Sequence, residues 1–129
     1  MKALLDTHAL IWWLMDASTL SKRAAAFITD EANEIFVSAA SLCEISTKYR
    51  IGRLPNMGVF LGDYVSLLVD EGFMPLSITL AHAHLAGGLE GSHRDPFDRM
   101  LIAQALLESM TLISNETLFD DYGVIRIWS

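Results

Sequence analysis

Residues 93–106 read HRDPFDRMLIAQAL, and two aspartates three positions apart, Asp95 and Asp98, stand at the mouth of an otherwise apolar helix. Asp95 fits an N-cap whose carboxylate accepts a backbone N–H from the first turn. Pro96 fits the first helical position with φ already set, and Asp98 sits favourably at the positive end of the helix dipole. Capping accounts for both acids but requires only one. Further acids stand at the ends of other elements: Asp6 closes the run KALLD, Glu44 lies within AASLCEISTKYRIG, and Ser114, Asn115 and Glu116 follow MTLI. Several carboxylates converging from separate segments cannot all stay ionised without a cation, and hard divalent metals with oxygen ligands are the usual partners.

Each of these residues also has an ordinary role. Asp6 could cap the first helix, Glu44 could pair with Lys48 one turn on, and Glu116 could answer a helix dipole. Asp120 and Asp121 read as a solvated turn. His8, His82, His84 and His93 share no zinc spacing such as HExxH, and His82 and His84, two apart on a helix, point to different faces. Trp12 and Trp13 read as core and interface bulk rather than as a platform for stacking bases.

The elements that must position the acids alternate. KALLD (2–6) and EIFVS (34–38) read as strands, MTLIS (110–114) and VIRIW (124–128) likewise, and FMPLS as an edge strand because of Pro75. Between them ALIWWLM, KRAAAFITDEA with Ser21 as N-cap, AASLCEISTKYRIG, VFLGDYVSLLVDEG, TLAHAHLAGGL and PFDRMLIAQALLES read as helices, and ETLFDDYG as a short helical turn. Regular succession of strand and helix means a parallel sheet covered on both faces. In such sheets function gathers beyond the carboxyl ends of the strands, where these acids fall.

Composition narrows the classes. A chain of 129 residues, 52% hydrophobic and 19% charged, suits one domain over 1–129 with a sizeable core and excludes a disordered chain. The single Cys43 excludes an internal disulfide framework and fits a reducing cytosol. The N-terminal MKALLDTHALIWWLM starts as a signal peptide would, but Asp6 and His8 interrupt it and no small-residue cleavage site follows. No apolar stretch approaches the ~20 residues that span a bilayer, so a soluble cytoplasmic protein is expected. The net charge of −7 argues against a nucleic-acid binder held by a broad basic surface. It leaves room for an enzyme acting on nucleic acid, because acids gathered around a metal make the formal count misleading.

Four stretches, LLDTHALIWWL, SAASLCEISTKYRIGRL, HRDPFDRMLIAQAL and LISNETLFDDYGVIRIW, in this order and over nearly the whole chain, resemble a PIN-domain ribonuclease, the VapC-type toxin of a type II toxin–antitoxin system. The resemblance implies a three-layer α/β/α PIN-like domain with a central parallel sheet of about five strands flanked by helices. It makes Asp6, Glu44 and Asp98 the acidic catalytic and metal site. Asp95 reverts to capping with an outer part in the site, and the fourth acidic position falls on Glu116, where the family more commonly has Asp. Ser114 matches a hydroxyl near the site, and Thr7 and Ser114 could orient the ligands. Arg99, Arg94, Lys48 and Arg53 are candidate phosphate contacts, Arg99 foremost because it adjoins Asp98.

The activity implied is hydrolysis of RNA phosphodiester bonds with Mg²⁺ or Mn²⁺, the metal activating water and neutralising charge on the phosphate, with no protein nucleophile. The partners implied are RNA, a small antitoxin of the VapB type and a second copy of the chain. Adjacent Trp12 and Trp13, unable to share a helix face, add apolar bulk that favours such association. Two other classes compete. An acid-pocket phosphohydrolase of the haloacid dehalogenase kind also begins with a strand ending in Asp but wants a second Asp where this chain has His8. An inactive PIN-fold binding module would not need Asp6, Glu44 and Asp98 together.

Overall fold

Five short, largely apolar runs pair into one parallel sheet in the computed structural model, which describes residues 1–129. The strands are β1 (Lys2–Leu5), β2 (Glu34–Ser38), β3 (Met74–Leu76), β4 (Thr111–Ile113) and β5 (Arg126–Ile127), in the order β3-β2-β1-β4-β5. Every neighbouring pair is parallel, with Leu4 of β1 level with Phe36 on one side and Leu112 on the other. The helices are α1 (Thr7–Leu14), α2 (Lys22–Thr29), α3 (Ala39–Arg50), α4 (Gly58–Gly62), α5 (Tyr64–Asp70), α6 (Leu80–Gly88) and α7 (Pro96–Leu107). A 3₁₀ turn over Thr117–Tyr122 joins β4 to β5.

The period of two along the strands divides the core. Ala3 and Leu5, Ile35 and Val37, and Ile113 face a cluster completed by α1, α2 and residues around α4. Leu4, Phe36 and Leu112 face the opposite cluster, filled by Leu101, Ile102 and Ala105 of α7 and by Phe119. Helix α3 contributes to both, Ala40 to one and Ile45 to the other. The expected three layers are present. The central β1 is the place where the chain order reverses, with β2 on one side and β4 on the other, so a crevice opens at the carboxyl ends of β1 and β4.

Pro75 sits in edge strand β3, as expected of a residue with no N–H to give a ladder. Three expectations are corrected. The helix read over VFLGDYVSLLVDEG is two helices, because Asp63 leaves helical geometry (φ −149°, ψ 39°) directly after Gly62. Helix α2 stops at Thr29, where the Asp30 carboxylate takes the Ala32 N–H at 3.0 Å and turns the chain. The last strand is only Arg126–Ile127 rather than 124–128. The two tryptophans are both accommodated within the chain: Trp12 lies 5.6 Å from the Trp128 ring, and Trp13 lies 6.0 Å from Phe73 while its indole N–H donates to Glu71. Both rings pack within the chain and stay only half-buried. No helix is long and apolar enough to cross a membrane.

Candidate active site

β1 runs into Asp6 without a loop. Asp6 is extended (φ −74°, ψ 171°), its N–H bonds the Ile113 carbonyl of β4, and its Oδ1 accepts the Ala9 N–H at 2.7 Å, capping α1. The residue is 4% exposed. Burial pushes its carboxyl up; the Ser114 hydroxyl and the Ala9 N–H pull it back in part, and His8 acts in the same sense while Glu44 opposes. Ser114, fully buried at the end of β4, also receives the Glu116 N–H at 2.9 Å.

Glu44 is placed by α3, whose N-cap Ser38 ends β2. The i,i+4 pair with Lys48 exists, Nζ to Oε2 at 2.5 Å, but Glu44 is only 3% exposed, so it is no solvated surface acid. Its other oxygen, Oε1, is buried with no hydrogen-bond partner. A carboxylate oxygen left bare in the interior is costly, and it marks a place where a cation would be accepted. Thr7, next to Asp6, donates to the buried Ser41 hydroxyl at 3.0 Å and ties α1 to the turn of α3 before Glu44.

Asp95 caps α7, its Oδ1 accepting from the N–H groups of Phe97 at 2.8 Å and Asp98 at 3.2 Å, with Pro96 at the start. Asp98 is left free of capping. Its carboxyl is pushed up to about 7, first by burial and then by the negative charges of Asp95, Glu44, Asp6 and Glu116. The four acids that act on Asp98 and Asp98 itself come from four separate segments of the chain. Asp98 Oδ2 lies 3.0 Å from His93 Nε2, a close approach without hydrogen-bond alignment. Glu116 has two roles, for its Oε1 caps the following 3₁₀ turn through the Leu118 N–H while its charge reaches Asp98.

The basic residues divide. Arg53 and Arg94 are exposed and make no ion pair. Lys48 is held by Glu44. Arg99, expected foremost at phosphate, is engaged within the chain: its three guanidinium nitrogens donate to the carbonyls of Ala86, Leu89 and His93, clamping the connection from α6 into α7. Sequence reasoning missed Arg126, which grips Asp120 through two bonds at 2.9 and 3.0 Å and reaches the Ser114 carbonyl with a third nitrogen at 3.0 Å. That grip holds the Asp120 carboxyl below the usual carboxylate range, so Asp120 is no free turn acid. The signal available was Arg126 itself, a lone charge in the apolar run VIRIW. As the side chains stand, no three of the His, Cys, Asp and Glu groups are close enough together to hold one ion. Glu44 is drawn to Lys48 and Asp98 to His93. The donor set is nonetheless all oxygen, crowded with like charge and supplied with an unpartnered buried atom, which fits a hard divalent cation.

A family model for the PIN domain matches residues 3–125. The chain belongs to the PIN-domain family. Among solved PIN-like structures it is similar to VapBC2 from Rickettsia felis bound to a promoter DNA fragment, at 14% identity and a TM-score of 0.71 with both chains fully covered. DNA-bound VapBC from Salmonella typhimurium is similar at 16% identity and a TM-score of 0.69, covering 98% of this chain and 97% of that one. FitAcB from Neisseria gonorrhoeae gives 18% and 0.65, covering 98% and 96%. At these identities the likeness is one of fold. No curated protein matches the chain. Within the PIN fold, Asp6 and Glu116 stand beyond the carboxyl ends of β1 and β4, Asp98 in the first turn of α7, and Glu44 in the middle of α3.

Proposed function

We propose that this PIN domain is a metal-dependent endoribonuclease and the toxin of a toxin–antitoxin pair acting in the cytoplasm, with Asp6, Glu44 and Asp98 holding Mg²⁺ or Mn²⁺ and Glu116 as a fourth, outlying acid. The observation that carries the reading is the convergence of Asp95, Glu44, Asp6 and Glu116 on Asp98, whose carboxyl their charges help to push up, while Glu44 Oε1 lies buried and unpartnered. A divalent ion bound there would supply a Lewis acid for the scissile phosphate and lower the pKa of the attacking water. The chain's own part is to orient and to balance charge. Ser114 and Thr7 fix Asp6 and the α3 turn; Asp95 fixes the backbone that presents Asp98; Lys48 counters the charge of Glu44 until metal and substrate arrive. Arg53 and Arg94, exposed and unpaired, are two cations free to meet RNA phosphates.

The partner half of the reading has its own support. A groove of about 470 Å³ runs beside Trp13, Ile28, Val69 and Phe73, and Asp30, Glu31, Asp70 and Glu71 stand around that apolar floor. It suits a segment carrying apolar and basic side chains, as an antitoxin would supply. Structural neighbours are toxin–antitoxin complexes, which favours the same partner class. A homodimer that brings two acidic sites to one groove is part of the proposal.

Purified protein incubated with single-stranded RNA should cut it internally with Mn²⁺ or Mg²⁺ and stop with a chelator. Single-stranded DNA of the same sequence should survive. RNA left whole at every metal concentration would return the chain to the binding-module reading.

A further inference from the structure

We infer that Gln104 is a positioning residue of the acidic site, holding α3 and α7 in the relation that brings Glu44 and Asp98 to one pocket. Gln104 is fully buried on α7, among Leu101, Ile102 and Ala105, where an apolar side chain would pack at no polar cost. Its amide is used at both ends. Oε1 accepts the Ser38 hydroxyl at 2.5 Å, and Nε2 faces the Ser77 carbonyl at 3.3 Å and His82 Nδ1 at 3.4 Å.

Each neighbour is committed in turn. His82 Nδ1 accepts the Thr79 N–H at 3.0 Å, which puts the ring proton on Nε2, 2.8 Å from Glu108 Oε1. Ser38 Oγ accepts the Ala40 N–H at 3.0 Å and has a single hydrogen left to give, which Gln104 receives. With a carbonyl facing Nε2 and a donor facing Oε1, the amide has one satisfied orientation.

The consequence for the site lies in what Ser38 does. It ends β2 and caps α3. Ser38, Ser41 and Glu44 recur at three-residue spacing along one side of α3: the first is tied to α7 through Gln104, the second to α1 through Thr7, and the third is the acid. Gln104 itself stands six residues beyond Asp98 on α7. Two buried polar bridges thus fix α3 against the helices that carry Asp98 and follow Asp6, and apolar contacts, which are non-directional, would not set that register as sharply.

This inference rests on the metal site proposed above, so its test must tell the two apart. Mn²⁺ binding to the purified protein would be measured by the resonance signal of free Mn²⁺, with thermal melting in parallel, for Gln104→Met, Ser38→Ala, the double variant, Ser38→Thr and Glu44→Gln. Each of the first two should bind Mn²⁺ about 10-fold more weakly, the usual range for groups supporting a ligand, and melt lower. The double variant should regain part of the lost melting temperature, because the Ser38–Gln104 pair is then removed whole while only the Ala40 N–H and the Ser77 carbonyl stay without their partners, and yet keep the weakened Mn²⁺ binding. Ser38→Thr, which keeps the hydroxyl, should bind as wild type. Mn²⁺ affinity that recovers with melting temperature in the double variant, or that never falls in the single ones, would make Gln104 a packing residue and overturn the inference. Unweakened binding in Glu44→Gln would overturn the metal site and this role with it, whereas weakened binding there alone would spare the site and reject Gln104.

Discussion

Two helices start at the same pocket and solve the same local problem differently. At α1, the strand delivers Asp6 straight into the N-cap, so one buried carboxylate must both accept the Ala9 N–H and face the other acids. At α7, a loop leads in, and the work is shared: Asp95 takes two backbone N–H groups and Asp98, one turn on, takes none. The difference shows in the charges. Asp6 keeps a donated hydrogen bond against its burial, whereas on Asp98 burial and the like charges act unopposed, and it is pushed up to about 7. A cap with no connecting loop saves residues at the cost of a shared role, and a loop with its own cap frees an acid from capping.

Breaking the comparison at its acids should have the largest effect. Asp6→Asn, Glu44→Gln and Asp98→Asn should each abolish RNA cleavage while leaving the far-ultraviolet dichroism unchanged, with melting temperature held or raised as repulsion is relieved. Wild-type cleavage rates in any of the three would show that the residue is outside the site.

The second contrast is in pH. The Asp98 carboxyl titrates at about 7 in the folded chain against 3.8 ordinarily, so the fold binds its proton more tightly than the unfolded chain does. Its stabilising contribution is complete below the ordinary value and is lost as pH rises to about 7, and Asp6, raised in the same direction, adds to it. Metal-free protein should therefore melt progressively lower as pH rises through this window. Asp98→Asn should flatten that fall, and a fall of undiminished size would assign it elsewhere.

The smallest effect should come from the cap. Asp95→Ala should lose about 0.5–2 kcal/mol of stability by denaturant unfolding and keep much of its cleavage, well above Asp98→Asn. A folded Asp95→Ala protein as inactive as Asp98→Asn would mean that the labour is not divided as described.

Much of this was legible in the sequence because it is local. Strand and helix periods, the Ser21 and Asp95 caps and the edge position of Pro75 all follow from side chains acting on their own backbone. The break between α4 and α5 had its sign in Gly62–Asp63, hidden by apolar residues that continue the helical pattern on both sides. What was not legible is long-range. Arg99 looked free because the Ala86 and Leu89 carbonyls it clamps are 13 and 10 positions away. Gln104 looked like one polar residue in an apolar helix because Ser38 lies 66 positions away. Whether Glu44 is buried depends on the packing of α3 across both cores, and an i,i+4 lysine reads the same on a surface.

The central claim, that these carboxylates are a cation site with Asp98 as a ligand and Asp95 as a cap, is tested most directly by the melting temperature with and without millimolar Mn²⁺ at pH 8. An ion that binds only the folded chain stabilises it by mass action, by about 2.7 kcal/mol at a hundredfold excess over its dissociation constant. The account predicts a clear upward shift in the wild type, nearly the same shift in Asp95→Ala and little or none in Asp98→Asn. No shift in the wild type, or equal shifts in wild type and Asp98→Asn, would contradict it.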